Sequence, residues 1–171
     1  MIVNFEAACV RPAPGRTLVV GSKLYPSKSV DRRKRYADAV GVDMSPGAGV
    51  DLVLNLEEPL SEDIGKFAHI DCISVLEHSR RPWLLAANLE RLLEDGGSIY
   101  LSVPFIWRVH GYPDDYWRFT ASGVRELFPN IKWKFGGYAH ATVTTEGEIL
   151  TVEVEGVRYF ARTEFCAFGH R

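Results

Sequence analysis

Cysteine is scarce in this chain, long hydrophobic runs are missing, and neither sign of charge predominates. Each shortage removes a class of protein. Three cysteines, Cys9, Cys72 and Cys166, are too few and too scattered for a disulfide framework or a clustered zinc site, and a reducing cytoplasm suits them. Cys72 stands in an apolar strand pattern with no electropositive partner beside it, so it reads as a small core residue and not as a nucleophile. No apolar run approaches membrane-span length, and the opening MIVNFEAACVRPAPGR lacks the basic-then-apolar layout of a secretory leader. A soluble, cytoplasmic protein with no membrane partner is expected. With 20 Lys and Arg against 22 Asp and Glu, no global field draws the chain onto a nucleic acid. The expected partner is a small molecule. The one basic run, RRKR at Arg32–Arg35, reads as a solvated helix face. His69, His140 and His170 lack metal-ligand spacing, and the GxSxG, HExxH, CxxC and phosphate-loop patterns are absent, so no metal site and no hydrolase is expected.

What is there suits one core. A chain of 171 residues with 46% hydrophobic side chains fills one domain and is short for two, so residues 1–171 read as a single unit with a lead-in at 1–16 that ends in the turn-rich RPAPGR. TLVVG has the composition of a strand buried on both faces. Residues 27–39 are charged, with few apolar points, and read as a short or irregular helix. VGVDMS is a second strand, and the turn cluster SPGAG leaves no room for a helix before DLVLNLEEPL, a third. SEDIGKF suits one or two helical turns with Ser61 as N-cap. Then follow a strand DCISVLEH, a helix within RRPWLLAANLERLLEDGG and a strand SIYLSVPF. Pro82 opens that helix, Leu84, Leu85, Ala87, Leu89, Leu92 and Leu93 form its apolar stripe, and Gly96 and Gly97 stop it. A loop rich in aromatics and charges runs to Thr120, the N-cap of the helix ASGVRELF. The tail supplies strands KWKFGGYAH, ILTVEVE and VRYFARTEFCAF, with a tight turn at Glu155 and Gly156. Periodicity alone thus gives a three-layer α/β domain whose later strands form an antiparallel hairpin.

VLEH, LLEDGG, SVPF and DYWRFT together resemble the catalytic domain of class I S-adenosylmethionine-dependent methyltransferases, and the resemblance spans roughly residues 18–128. It implies a Rossmann-like three-layer sandwich, a mostly parallel sheet closed by a reversed seventh strand, with S-adenosyl-L-methionine as cofactor. The implied reaction is methyl transfer to an oxygen or nitrogen of a small-molecule or sugar-type acceptor. The alternatives are a catalytically inactive module of the same fold, used for binding or assembly, and a nicotinamide-binding protein, which lacks its GxGxxG here.

In such a sheet the ligand lies beyond the carboxyl ends of the strands, and the candidates are read from those ends. After the first strand the family has a GxGxG loop; here Gly21 is kept and is followed by Ser22 and Lys23, with Lys23 and Tyr25 where the other glycines fall. Gly21, Ser22 and Lys23 are expected to touch the cofactor; otherwise Gly21 simply ends a strand. Asp43 stands where dinucleotide folds place an acid on the ribose hydroxyls, a carboxylate being able to accept both protons. Its other reading is a turn carboxylate capping SPG. Met44 packs on the adenine face or fills the core. Asn55, Leu56 and Glu57 are implied adenine contacts. Asp71, opening the fourth strand at its far end, reads as structural. Glu77 would balance the sulfonium or hold the methionyl amine, and His78 would orient the acceptor or act as base; the bland alternative is that the pair caps the next helix. In the loop after the fifth strand, Tyr112, Asp115, Tyr116 and Arg118 are candidate acceptor contacts and His110 is the candidate general base. Alternatively the loop's aromatics pack it on the sheet, with Arg118 paired to Asp114 or Asp115. A homodimer through the aromatic-rich tail and loop is left open.

Overall fold

The structure, a computed structural model, describes residues 2–26, 30–111, 113–140, 151–154, 157–160 and 162–171. Its elements in chain order are α1 (Ile2–Cys9), β1 (Thr17–Val20), β2 (Ala39–Asp43), β3 (Leu52–Val53), β4 (Phe67–Ile73), α2 (Pro82–Leu92), β5 (Leu93–Pro104), α3 (Ala121–Leu127), β6 (Lys132–His140), β7 (Thr151–Val154), β8 (Val157–Phe160) and β9 (Arg162–His170). Three short 3₁₀ turns, Arg32–Arg35, Glu62–Ile64 and Leu76–His78, fall between them.

Seven strands form one sheet in the order β3-β2-β1-β4-β5-β9-β6. The first five run parallel, and β9 inserts antiparallel between β5 and β6. The mostly parallel α/β sheet with its reversed C-terminal strand is therefore present. β7 and β8 pair antiparallel; the expected turn residues Glu155 and Gly156 lie outside the described residues.

Strands covered on both faces must be apolar on both, and TLVV of β1 is buried at all four positions. One face carries Leu18, Ile70, Cys72, Ile99 and Leu101 against Leu85, Ala86, Leu89 and Leu92 of α2 and Val124 of α3. Complete burial of a leucine such as Leu89 stabilises the fold by roughly 2 kcal/mol. The other face packs Tyr100, Cys166 and Phe168 against Val10 and Phe5. The expected lead-in is thus partly a helix, α1, and Phe5 stacks on Tyr100. Cys72 is fully buried, as a core residue should be, and burial pushes its thiol well up.

Several boundaries differ from the sequence reading. The fourth strand starts at Phe67, so Asp71 is in its middle. Asp71 accepts two hydrogen bonds from Arg32, at 2.9 Å from Nε and 2.6 Å from Nη2, and one of 2.6 Å from the Tyr36 hydroxyl, while Arg32 also reaches Glu6 at 3.0 Å. The RRKR run is accordingly not a solvated face throughout, because Arg32 neutralises the buried Asp71 and shares the buried Glu6 with Arg35, which lies 3.1 Å from it. β4 ends at Ile73 because Ser74 takes a left-handed backbone, φ 52°, which turns the chain before VLEH. The third strand stops after Val53. In α2, Leu84 and Ala87 are exposed and Ala86 takes the core position, and the helix ends at Leu92, before the glycines. The Ser61 cap, Pro82 at the first turn and the Thr120 cap, whose Oγ1 accepts from Gly123 N at 3.0 Å, stand as expected. Among the described residues no helix is long and apolar enough to cross a membrane.

Candidate functional site

The carboxyl ends of β1, β2, β3 and β4 converge on a cavity of about 460 Å³, within the usual range for small-ligand sites. Its wall includes Gly21, Asp43, Met44, Asn55, Leu56, Glu57 and His78 from the expected set. Gly21 has no substitute here. Its φ of +68° disfavours a side chain, and a Cβ would come within 2.7 Å of Val75 Cγ2. This lets the chain leave β1 pressed against the segment that carries VLEH.

Ser22 and Lys23 are not on the cavity wall. Ser22 is buried, and Lys23 lies along Gly47 with its ammonium 5.8 Å from the Tyr25 ring. Tyr25 itself lines the cavity, as do Ser74, Ser79 and Pro113, which sequence reasoning left out. Asp43 satisfies the bland reading while standing on the wall: it accepts from Ser45 N at 3.0 Å and from Lys23 N at 3.3 Å, tying the two loops together. Met44 is exposed on the wall and is not core filling. Asn55 Oδ1 accepts from Glu57 N at 3.0 Å. Glu57 accepts from Ser79 Oγ, Arg80 N and Arg81 Nε, at 2.8, 2.9 and 3.2 Å. Burial acts against its ionisation, but these donors prevail and hold the carboxyl below its ordinary range.

Glu77 and His78 lie not at a strand end but in the 3₁₀ turn Leu76–His78. Glu77 is 1% exposed, its Oε2 has no hydrogen-bond partner, and burial pushes its carboxyl up to about 8. It does not reach the wall, whereas His78 does. His78 Nδ1 is 2.6 Å from the Asp114 carbonyl, and its Nε2 is 3.8 Å from Glu77 Oε1. Because a carbonyl only accepts, Nδ1 carries the hydrogen and Nε2 is left with a lone pair.

The loop after β5 folds back over this turn. His110 and His78 meet edge to face, ring centroids 4.9 Å apart. Asp115 Oδ2 accepts from His110 N at 2.8 Å and lies 3.1 Å from His110 Nδ1, which also faces the Arg108 carbonyl at 3.2 Å. Both neighbours of Nδ1 are acceptors, so His110 too presents a bare Nε2. Arg118 grips Asp115 with two bonds of 2.5 and 2.8 Å, and these, with the His110 bonds, hold the Asp115 carboxyl far below its ordinary range despite burial. Arg118 also donates to the carbonyls of Trp107 and Arg108. The pairing alternative is thus realised for Arg118, whose donors are engaged within the loop. Tyr116 donates from its hydroxyl to Asp114 Oδ2 at 2.6 Å and from its backbone to Glu77 O at 2.8 Å, and Trp117 Nε1 donates to Ser79 O at 2.8 Å. Tyr112 lies outside the described residues.

No protein-family model matches the chain, and no curated protein matches it by sequence. Solved structures do match its fold. It resembles the 1,6-didemethyltoxoflavin-N1-methyltransferase of Burkholderia thailandensis, crystallised with 1,6-didemethyltoxoflavin and S-adenosylhomocysteine, with a TM-score of 0.65 at 14% identity over 99% of this chain and 76% of that one. A SAM-dependent methyltransferase from Archaeoglobus fulgidus gives 0.63 at 10% identity, over 99% of this chain and 92% of its own. The N-methyltransferase NodS of Bradyrhizobium japonicum, in complex with S-adenosyl-L-homocysteine, gives 0.60 at 9% identity, over 99% and 83%. The chain has the fold of the class I S-adenosylmethionine-dependent methyltransferases.

Proposed function

We propose that this protein is an S-adenosylmethionine-dependent methyltransferase that methylates an oxygen or nitrogen of a small-molecule acceptor. The observation that carries the reading is the cavity at the carboxyl ends of β1 to β4, where Gly21, Asp43, Asn55 and His78 share one wall. Two of the resembling structures hold S-adenosylhomocysteine, the product of that cofactor. Bound S-adenosylmethionine supplies an electrophilic methyl group, the difficult part of the chemistry. Asp43 is the residue for the ribose hydroxyls, through the lone pairs its turn contacts leave unused, and Met44, Asn55 and Leu56 form the adenine end. The edge near His78 and Pro113 is the acceptor end.

At that end the task is alignment and removal of a proton. A neutral amine acceptor brings its own lone pair and needs alignment only. A hydroxyl must lose its proton, and His110 is built to take it: Asp115 orients the ring through Nδ1 and stabilises the imidazolium that forms, leaving Nε2 as the basic atom. His78 is held in the same tautomer by the Asp114 carbonyl and is the second candidate. Tyr116 and Arg118 act through Asp114 and Asp115, as positioning residues.

Calorimetric titration with S-adenosylmethionine, S-adenosylhomocysteine and NAD tests the assignment. Binding of the first two with no binding of NAD is expected. Silence from all three would leave the fold as a binding or assembly module, and NAD binding alone would redirect the reading to a nicotinamide cofactor.

A further inference from the structure

Beside the cavity, one oxygen of Glu77 and one ring nitrogen from each of His78 and His110 lie within 4.8 Å of one another. Three features separate this cluster from a chance meeting of polar side chains. Glu77 is almost completely buried, and its Oε2 has no partner among the surrounding groups; a buried carboxyl in that position either keeps its proton or gives it up to a cation bound beside it. Each imidazole has its Nδ1 engaged by an oxygen, His78 by the Asp114 carbonyl at 2.6 Å and His110 by Asp115 Oδ2 at 3.1 Å, so both Nε2 atoms are left as donors of an electron pair. Such outer oxygens are what orient metal-bound histidines and raise their basicity. Finally, Tyr116 N donates to the Glu77 carbonyl at 2.8 Å, which fixes the loop carrying His110 over the turn carrying Glu77 and His78.

We propose that Glu77, His78 and His110 form a binding site for one divalent transition-metal ion of borderline softness, such as Zn²⁺. Two imidazoles and a carboxylate are the donor set such an ion takes, and three protein ligands leave a coordination position for water or another small ligand. Bonds of about 2.0–2.2 Å require ligand atoms closer together than they stand here, so uptake draws the cluster in by about 1 Å. His110, on a loop and partly exposed, is the ligand free to make that move. His78 belongs to both the cluster and the cavity wall, which places the open position at the acceptor end. A second consequence rests on the methyltransferase reading: an acceptor hydroxyl bound to the ion would lose its proton more readily, and with the two imidazole lone pairs taken by the ion that proton would pass to solvent water instead.

Cobalt(II) titration of the tag-free, chelator-treated protein, followed by visible absorption, tests the site. The expected result is d–d bands that saturate at one equivalent and are abolished by Zn²⁺, without the near-ultraviolet charge-transfer band of thiolate ligation. His110→Ala should weaken cobalt binding at least tenfold with an unchanged circular dichroism spectrum, and Glu77→Gln should do the same where it folds. No uptake by the wild-type protein, a thiolate spectrum, or equal uptake by a His78→Ala/His110→Ala variant would overturn the proposal. Calorimetry with S-adenosylhomocysteine on the metal-free protein reports separately on the cofactor: uptake of cobalt without that binding would remove the methyltransferase reading and leave the metal site standing, and the reverse would remove only the metal.

Discussion

His110 and Asp115 show how little of a site's chemistry resides in a residue type. Both are common on surface loops; what distinguishes them is that Asp115 is buried, doubly bonded to Arg118, and aimed at one nitrogen of the ring. Replacing His110 with alanine is expected to lower turnover of a hydroxyl acceptor by about 10²- to 10⁴-fold with S-adenosylhomocysteine affinity unchanged. Intact turnover in that variant removes the base assignment. At Gly21, alanine would bring both a left-handed φ and a 2.7 Å approach to Val75, so about 1–3 kcal/mol of stability should be lost in denaturant titration. His69 carries a pH dependence. It is fully buried on β4, and burial, together with the charges of Arg32 and His170, depresses its pKa to about 4 against a hydrogen bond to Ser98. Between that value and the 6.5 of the unfolded chain, only the unfolded state binds the proton. The stability from His69 is therefore complete above about pH 6.5 and is lost as pH falls toward 4, by up to about 3 kcal/mol. Stability curves of a His69→Gln variant should be flatter than the wild-type curves across this window, and parallel curves would refute the assignment.

Elements, more than residues, decide which side chains meet. The apolar stripe of α2 was readable from its three- and four-residue spacing, but spacing leaves the edges of a stripe undetermined. Only the packing against Leu18 and Ile70 selects Ala86 over Ala87 and leaves Leu84 in solvent. Leu89→Ala should therefore cost about 2–5 kcal/mol, while Leu84→Ala stays within about 0.5 kcal/mol. Denaturant midpoints of the two variants decide this, and similar losses would mean that the helix sits rotated. The VLEH segment teaches the same point. Its apolar continuity with β4 suggests one strand, yet Ser74 breaks the strand and turns Glu77 inward while His78 stays on the cavity wall. No periodicity announces a single left-handed residue in an otherwise unbroken apolar run.

At the scale of the whole molecule, the sheet order brings residues from Gly21 to Pro113 to a single cavity. A ligand that binds only this assembled state must stabilise it. Saturating S-adenosylhomocysteine, at about a hundred times its dissociation constant, should add about 2.7 kcal/mol and raise the melting temperature by roughly 5–10 °C. A thermal shift assay that shows no change would count against the cofactor pocket. Asp43, Met44, Asn55 and Leu56, read from strand ends, line one cavity because a parallel sheet presents those ends on one side. Ser22 and Lys23 stand off the cavity wall because the loop after β1 is drawn toward the turn at Gly47 to Gly49: Leu24 N donates to Ala48 O at 2.8 Å, a long-range bond that no local pattern encodes.

The sequence by itself determined the α/β class, the order of the strands and of the helices α2 and α3 though not of α1, the burial of Cys72, the caps at Ser61 and Thr120, and the edge of the sheet on which a ligand would lie. These follow from local propensity, period and turn chemistry, which act over a few residues. Only the tertiary structure decided that Arg32 neutralises Asp71 and Glu6, that Glu77 is buried with an unpartnered oxygen, and that His110 meets His78. Each of these joins segments far apart in the chain. Their free energies come from desolvation and charge pairing, which depend on distances in space that sequence spacing does not contain.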